Sequence, residues 1–143
     1  MLEKEKSSPK PTKNINTNKE IVNRVISQYF EAISRLEMDQ WVSLFAEDGY
    51  IEDPVGSRPY IGHQQLAIFF KGVLRFFSEI NMTIKDIKEE DEYISVTWVA
   101  DAITYNNNKI TFSGQEAFQI DAEGKISAAE VYWDPSMISD QLL

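Results

Sequence analysis

The sequence predicts an α+β domain in which helices pack on the concave face of a curved antiparallel sheet. In the first half of the chain, apolar residues recur at three- and four-residue steps, as on the buried face of a helix. From Ile80 onward the period drops to two, which is typical of half-buried strands. Helices followed by hairpin-connected strands favour an α+β fold, whose curved sheet would enclose a cone-shaped pocket.

Three helices are predicted before the strands. The first begins at Lys19, capped by Thr17 or Asn18, the second is capped by Asp39, and the third is entered near Gly62. Their buried faces are predicted to hold Ile21, Val22, Val25, Ile26, Tyr29, Phe30, Ile33 and Leu36, then Trp41, Leu44 and Phe45, then Leu66, Phe69, Phe70, Val73, Leu74 and Phe77.

The strands follow from alternation and turn residues. A short strand at 49–53 is stopped by Pro54, which cannot donate to a ladder, and 54–59 is predicted to be a loop. Further strands are predicted at 80–84, 93–105, 109–120 and 125–133. Turn residues at 106–108 and 121–124 join the last three as hairpins.

Length and composition limit the function. The chain of 143 residues suits one domain, 19–143, after a polar tail, 1–18, that has too few apolar residues to offset its ordering entropy and is expected to be disordered. No apolar run approaches a membrane span of about 18 residues, and the tail lacks the apolar core of a signal peptide, so we expect no membrane association and a cytoplasmic protein. A net charge of −9 argues against nucleic acid. Cysteine is absent and His63 is the single histidine, so we expect no metal.

One carboxylate falls on the apolar side of a predicted strand. Glu116 shares its even-numbered parity with the apolar residues of that strand, Ile110, Phe112, Phe118 and Ile120. Alternation therefore points Glu116 toward the core, where burial keeps a carboxyl protonated and able to donate a hydrogen bond. The alternative is a carboxylate at a rim or opposite an arginine.

Asp53 and Tyr29 are the other two polar residues on predicted apolar faces. Asp53 shares parity with Ile51 at a strand end, and Tyr29 lies on the stripe of the first helix. Each has a simpler interpretation, a turn residue for Asp53 and a core residue for Tyr29. If Asp53, Tyr29 and Glu116 converge on one apolar cavity, their environments can separate the pKa values of the two carboxyls.

Three segments carry a resemblance to a known family: Gln28-Tyr29, Leu44-Phe45-Ala46-Glu47-Asp48 and Glu52-Asp53-Pro54-Val55-Gly56-Ser57. They resemble the Δ5-3-ketosteroid isomerases, and the similarity runs from about Ile21 to about Trp133. The resemblance implies the cone-shaped fold of the nuclear-transport-factor-2-like superfamily, which includes SnoaL-like proteins and is also called cystatin-like. The third segment is the most specific, because it surrounds the proton-shuttling aspartate of those enzymes.

The resemblance implies a role for each candidate residue. Asp53 corresponds to the general base and Tyr29 to the oxyanion-hole tyrosine. Glu116 stands where the family has a protonated aspartate, one methylene shorter. Phe70 replaces a tyrosine that often supports the oxyanion tyrosine, and Trp133 falls at an aromatic pocket position. An ionised base beside a protonated acid is the established pattern of those isomerases.

The implied reaction moves a double bond into conjugation with a ketone through a dienolate, without a metal or cofactor. Phe70, Trp98, Phe118 and Trp133 are expected to contact a flat apolar ligand, a steroid or another fused-ring enone, although aromatic residues also simply fill cores. The resemblance also implies a homodimer. The alternative is a non-catalytic module on the same fold that binds a small molecule or a protein. A dehydratase or epoxide hydrolase is less favoured, because His63 is alone and no arginine falls on a buried strand position.

Overall fold

The computed structural model describes residues 15–142. Its elements, in chain order, are α1 (Lys19–Ser34), α2 (Met38–Ser43), β1 (Phe45–Glu52), β2 (Tyr60–Ile61), α3 (Gly62–Phe76), β3 (Phe77–Glu89), β4 (Ile94–Thr104), β5 (Lys109–Ile120), β6 (Ile126–Tyr132) and α4 (Ser136–Gln141). The strands form one curved, unclosed sheet in the order β2-β1-β6-β5-β4-β3. The predicted α+β class is confirmed.

The sheet is antiparallel except for one pair. β1 and β6 run parallel, whereas the hairpins β3–β4, β4–β5 and β5–β6 are antiparallel as predicted. Two register shifts interrupt the β3–β4 ladder, one between Phe77 and Glu79 and one between Ile84 and Asp86. Irregularities of this kind bend a strand and increase its twist, which helps the sheet to curve around the helices.

The starts of α1 and α2 test the predicted helix caps, and they agree for α1 and differ for α2. Of the two predicted caps of α1, Thr17 and Asn18, the cap is Asn18, whose side chain accepts hydrogen bonds from the N–H groups of Glu20 and Ile21 at 3.0 and 3.2 Å. The predicted Asp39 cap of α2 is wrong, because Glu37 is the N-cap residue, in an extended conformation, and the helix begins at Met38. Asp39 therefore lies in the first turn, where its charge still favours the positive end of the helix.

The two chain ends differ from the predicted outline. Residues 1–14 of the predicted tail lie outside the described residues. At 15–18, Ile15 forms an antiparallel bridge with Asp121, and the Asn16 N–H donates to the Ile120 carbonyl at 2.7 Å. After the last strand, the short helix α4 was not predicted. The Gln141 side chain fastens it to β5, accepting from the Thr111 N–H at 2.9 Å and donating to the Thr111 carbonyl at 2.6 Å.

The core lies between the concave face of the sheet and helices α1 and α3. The even-numbered positions of β5 face this core, as the alternation predicted, and Glu116 is among them with 3% of its surface exposed. Between residues 15 and 142, no helix is both long and apolar enough to cross a membrane.

Candidate active site

An apolar cavity of about 380 Å³ lies between the helices and the concave face of the sheet. Most of its wall is aromatic or aliphatic, including Trp41, Phe69, Phe70, Ile80, Met82 and Phe112. Among the described residues that border it, Asp53 contributes the one carboxyl group. Tyr29, whose hydroxyl bonds to Glu116, also borders the cavity. The cavity therefore suits an apolar ligand that presents a polar atom to a small number of polar groups.

Tyr29 and Glu116 form a buried hydrogen-bonded pair between α1 and β5. The Tyr29 hydroxyl bonds to Glu116 Oε2, and both side chains are almost fully buried. Burial raises the pKa of Glu116 to about 8; the Tyr29 hydrogen bond lowers it in part, and the nearby Asp53 charge raises it. Burial also raises the pKa of Tyr29 well above its usual value. Glu116 is therefore mostly protonated near neutral pH, so that either member of the pair can donate.

Asp53 lies just after β1, where Trp133 holds it. The Trp133 indole N–H donates to Asp53 Oδ1 at 2.6 Å. Desolvation raises the pKa of Asp53 to about 6, and the hydrogen bond from Trp133 opposes this rise. At neutral pH Asp53, which borders the cavity, is consequently ionised, while Glu116, which bonds to Tyr29 behind the cavity wall, holds its proton.

The structure brings most of the predicted site residues to one cavity. Asp53, Tyr29, Phe70, Trp98 and Trp133 all border it.

Two predicted site residues lie behind the cavity wall. Glu116 does not border the cavity and reaches it through the Tyr29 hydroxyl. Phe118, predicted to contact the ligand, packs edge-on against Tyr29 with ring centroids 4.9 Å apart and also contacts Phe30. The physical reason is that α1 crosses this end of β5, so that Tyr29 covers the inward-facing side chains of Glu116 and Phe118.

Most of the other residues that border the cavity were not predicted as site residues, and Trp41 and Ile138 are two examples. Trp41, which the helical pattern indicated only as core, borders the cavity and packs against Tyr29 and Phe70. Ile138 borders the cavity from α4, a six-residue helix too short to show a period. An apolar side chain on a core face carries no sequence signal that separates cavity wall from solid core.

No metal centre is found in the part of the chain that the structure describes. Within residues 15–142, no group of three or more histidine or carboxylate side chains could hold an ion. His63, at the start of α3, donates from Nε2 to the Phe45 carbonyl oxygen at 2.8 Å and does not border the cavity. The chemistry available at the cavity is therefore that of Asp53 and the Tyr29–Glu116 pair.

The fold and its cavity define a protein of the nuclear-transport-factor-2-like superfamily. Within that superfamily, the SnoaL-like domain matches residues 26–129, and the chain belongs to the SnoaL-like family.

Solved structures of low sequence identity share the fold. One is SalBIII, an epoxide hydrolase/cyclase-like enzyme in pyran ring formation of the polyether salinomycin (21% identity, TM-score 0.73, 83% of this chain and 95% of that one). Another is a candidate polyketide cyclase from Xanthomonas campestris, with 18% identity and a TM-score of 0.74, over 89% of this chain and 100% of that one. A third is RV0760c from Mycobacterium tuberculosis, solved in complex with estradiol-17beta-hemisuccinate. Its identity is 16% and its TM-score 0.71, over 82% of this chain and 96% of that one.

Proposed function

We propose that the protein is a ketosteroid isomerase-like enzyme that moves a double bond into conjugation with a ketone by intramolecular proton transfer. One observation carries the proposal: an ionised carboxylate, Asp53, faces the same apolar cavity as a hydroxyl that is backed by a protonated carboxyl, the Tyr29–Glu116 pair. Such a pairing of a base with a neutral acid is what proton abstraction beside a carbonyl requires.

The reaction uses these groups in order. Asp53 removes a proton from the carbon between the ketone and the β,γ-double bond, which leaves a dienolate. The Tyr29 O–H donates to the dienolate oxygen, while protonated Glu116 donates to the Tyr29 oxygen and strengthens that bond. Asp53 then returns the same proton to the γ-carbon. The substrate neither gains nor loses atoms, and Asp53 ends as it began.

The cavity supports a flat, apolar substrate. Its wall is mostly aromatic, with Trp98 and Trp133 on the sheet side and Phe70 on the helix side. The fold neighbour from M. tuberculosis binds an estradiol derivative, which supports a steroid or another fused-ring enone as the ligand class here.

One second candidate, a ring-closing enzyme, is favoured by two of the fold neighbours, which are described as cyclase-like or as a cyclase candidate. An aldol-type closure starts with the same proton abstraction by Asp53. The enolate carbon then attacks a second carbonyl, and the proton held by Asp53 passes to the resulting alkoxide oxygen. By contrast, an epoxide hydrolase with an Asp-Arg-Asp set is not supported, since no arginine is among the described residues bordering the cavity.

The absorbance of the conjugated enone formed from 5-androstene-3,17-dione tests the isomerase directly. Asp53→Asn should lower the rate by about 10²–10⁴-fold, the usual contribution of a general base. Asp48→Asn is the matched control, because Asp48 is an exposed aspartate of β1, and it should leave the rate unchanged.

Two results would contradict the isomerase. If the natural chain is no faster than Asp53→Asn and still binds a steroid phenol tightly, the protein is a binding module or catalyses another reaction. If it neither turns over nor binds, the proposed ligand class is wrong as well.

A homodimer, implied by the ketosteroid isomerase resemblance, is also part of the proposal. The outer face of the sheet exposes Tyr93 and Tyr132, 42% and 49% of their surfaces, around a polar groove. Sedimentation equilibrium tests it: the dimer mass supports this part, and a monomer mass at all concentrations contradicts it.

A further inference from the structure

Helix α3 carries a glycine that its backbone conformation does not explain. Gly72 lies in the interior of this helix, which runs from Gly62 to Phe76. Glycine destabilises a helix interior relative to alanine, because its backbone loses more conformational freedom on folding. Gly62, at the start of the helix, has a φ of 87°, a conformation that favours glycine, whereas the φ of Gly72 lies outside that region. The backbone therefore gives no reason for a glycine at position 72.

Close packing does not explain Gly72 either. A Cβ built on Gly72 would meet no atom of residues 15–142 within 4 Å. By contrast, a Cβ on Gly114 would lie 2.8 Å from Trp98 Cζ2, so that Gly114 has no room for a side chain. Gly72 does have room for one, and the feature to explain is the space that this glycine leaves open.

The space in front of Gly72 belongs to the cavity. Residues three and four apart lie on one side of a helix. One such stripe of α3 borders the cavity, and it consists of Phe69, Gly72, Val73 and Phe76. The other three members cover the helix backbone with apolar side chains. The cavity therefore reaches the backbone of α3 at Gly72, between these side chains.

A row of aromatic rings on the sheet side leads away from Asp53. The row begins at Trp133, whose N–H bonds to Asp53 and whose ring centroid lies 5.3 Å from that of Phe112. Phe112 in turn stacks with Phe77, with centroids 5.9 Å apart, and all three rings border the cavity. Phe77 directly follows α3, so the row ends at the last turn of that helix. A flat ligand with one end at Asp53 can therefore lie along the row with its far end near this turn.

The last turn of α3 lies at the mouth of the cavity. Phe76 borders the cavity, yet 40% of its surface is exposed, so that the cavity opens beside it. Gly72 lies one helical turn before Phe76, just inside the mouth. The far end of a long ligand consequently passes Gly72 before it reaches solvent.

We infer that Gly72 is a specificity-determining residue, whose missing side chain leaves room for the far rings of a ligand with more than two fused rings. The inference deepens the proposed function and rests on it for the orientation of the ligand, with the reacting end beside Asp53. A two-ring ligand bound at Asp53 ends before it reaches Gly72. A four-ring ligand extends past Gly72 to the mouth, so a bulky side chain there would exclude the longer ligand alone.

The first test compares the affinities of two probes and needs no turnover. The long probe is estradiol, which has four fused rings. The short probe is 5,6,7,8-tetrahydro-2-naphthol, which keeps the phenol ring of estradiol and the ring next to it. Gly72→Leu places a side chain in the open space. Lys71→Leu is the matched control, because Lys71 is exposed on the same helix and does not border the cavity.

Gly72→Leu should weaken estradiol binding by about tenfold or more, because the leucine occupies the space of the far rings. Its affinity for the short probe should change by less than about twofold, and Lys71→Leu should change neither affinity. Equal losses for both probes would show that the leucine disturbs the whole cavity. An unchanged estradiol affinity would show that the ligand does not pass Gly72. Either result overturns the inference, as does a natural chain that does not bind estradiol.

The natural chain provides a second test that needs no stable variant. Estradiol has one methyl group, at the end remote from its phenol. In a chain labelled with ¹³C-glycine, nuclear Overhauser effects should join this methyl group to the α-protons of Gly72. Gly56 is the internal control, because a Cβ there would also meet nothing within 4 Å among the described residues, but Gly56 does not border the cavity. The inference is overturned if Gly72 shows no such effect, or one no stronger than that of Gly56.

The two proposals fail separately. If Gly72→Leu excludes estradiol alone but the natural chain does not convert 5-androstene-3,17-dione, the specificity role stands and the isomerase does not. If the dione is converted and Gly72→Leu does not separate the two probes, the isomerase stands and the role of Gly72 is excluded.

Discussion

The indole N–H of Trp133 donates to Asp53 Oδ1 at 2.6 Å. This hydrogen bond links the residue after β6 to the residue after β1, two strands that run parallel. Asp53 comes directly after β1 and Trp133 directly after β6, and the parallel register pairs Glu52 with Glu130 near these ends. Because parallel strands finish at the same edge of a sheet, this pairing brings the base and its donor together. The one parallel pair of the sheet therefore positions the proposed base.

Removal of the Trp133 donor should reduce the fraction of Asp53 that is ionised at a given pH. Its hydrogen bond lowers the pKa of Asp53, so Trp133→Phe should raise that pKa above about 6. The acid limb of the isomerase pH–rate profile should then move to higher pH, and the rate at pH values near 6 should fall. An unmoved acid limb in Trp133→Phe would show that the bond does not control the base.

The isomerase pH–rate profile should be bell-shaped. The rate should rise as Asp53 ionises near pH 6 and fall as Glu116 loses its proton near pH 8. Glu116→Gln cannot ionise, so its alkaline limb should disappear. Its kcat should fall by roughly tenfold, less than the 10²–10³ typical of a direct oxyanion donor, because Glu116 acts through Tyr29. An alkaline limb that persists in Glu116→Gln would assign that limb to another group.

The stability of the fold should fall with rising pH. The pKa of Glu116 rises from 4.5 to about 8 on folding, so across this interval the native state holds a proton that the unfolded chain has lost. The free energy of unfolding then decreases with pH, by up to about 1.4 kcal/mol per pH unit for one proton. Asp53 also makes the free energy of unfolding decrease with pH, between pH 3.8 and about 6.

Urea unfolding at several pH values between 6 and 8 measures this slope. Above pH 6 most of it should come from Glu116, so Glu116→Gln should flatten the curve relative to the natural chain. The same slope in both proteins would mean that Glu116 is ionised in the native state.

Gly114 should be intolerant of a side chain. A Cβ there would lie 2.8 Å from Trp98 Cζ2, 2.8 Å from the Tyr132 carbonyl oxygen and 2.9 Å from Trp133 Cβ. Gly114→Ala should destabilise the protein by about 1–3 kcal/mol, as overpacking does, and should displace the two indoles.

Gly72→Ala is the matched control for Gly114→Ala. Gly72 lies inside α3, and a Cβ there would meet nothing within 4 Å. The substitution should raise stability by up to about 1 kcal/mol through helix propensity. Urea midpoints of both variants test the contrast, and an equally harmless Gly114→Ala would show that Trp98 and Trp133 can move aside.

Local patterns predicted those features that depend on neighbouring residues. Alternation along β5 placed Glu116 on the buried face, because side-chain direction in a strand follows from its own backbone. The helical period and Asn18 likewise predicted α1 and its start.

Features that depend on distant segments were missed or misplaced. The parallel pairing of β1 with β6 joins segments about 80 residues apart, and no local pattern encodes it. The position of Glu116 behind Tyr29 depends on where α1 crosses the sheet. The same is true of Phe118, which has the parity of a pocket residue but is covered by the Tyr29 ring.

The central claim is that Asp53 is ionised while Glu116 is protonated at the same pH. Carbon-detected NMR titration of the side-chain carboxyls, assigned with Asp53→Asn and Glu116→Gln, measures both directly. The account predicts midpoints near pH 6 for Asp53 and near pH 8 for Glu116. A Glu116 carboxyl that is already ionised at pH 6, or an Asp53 midpoint above that of Glu116, would contradict it.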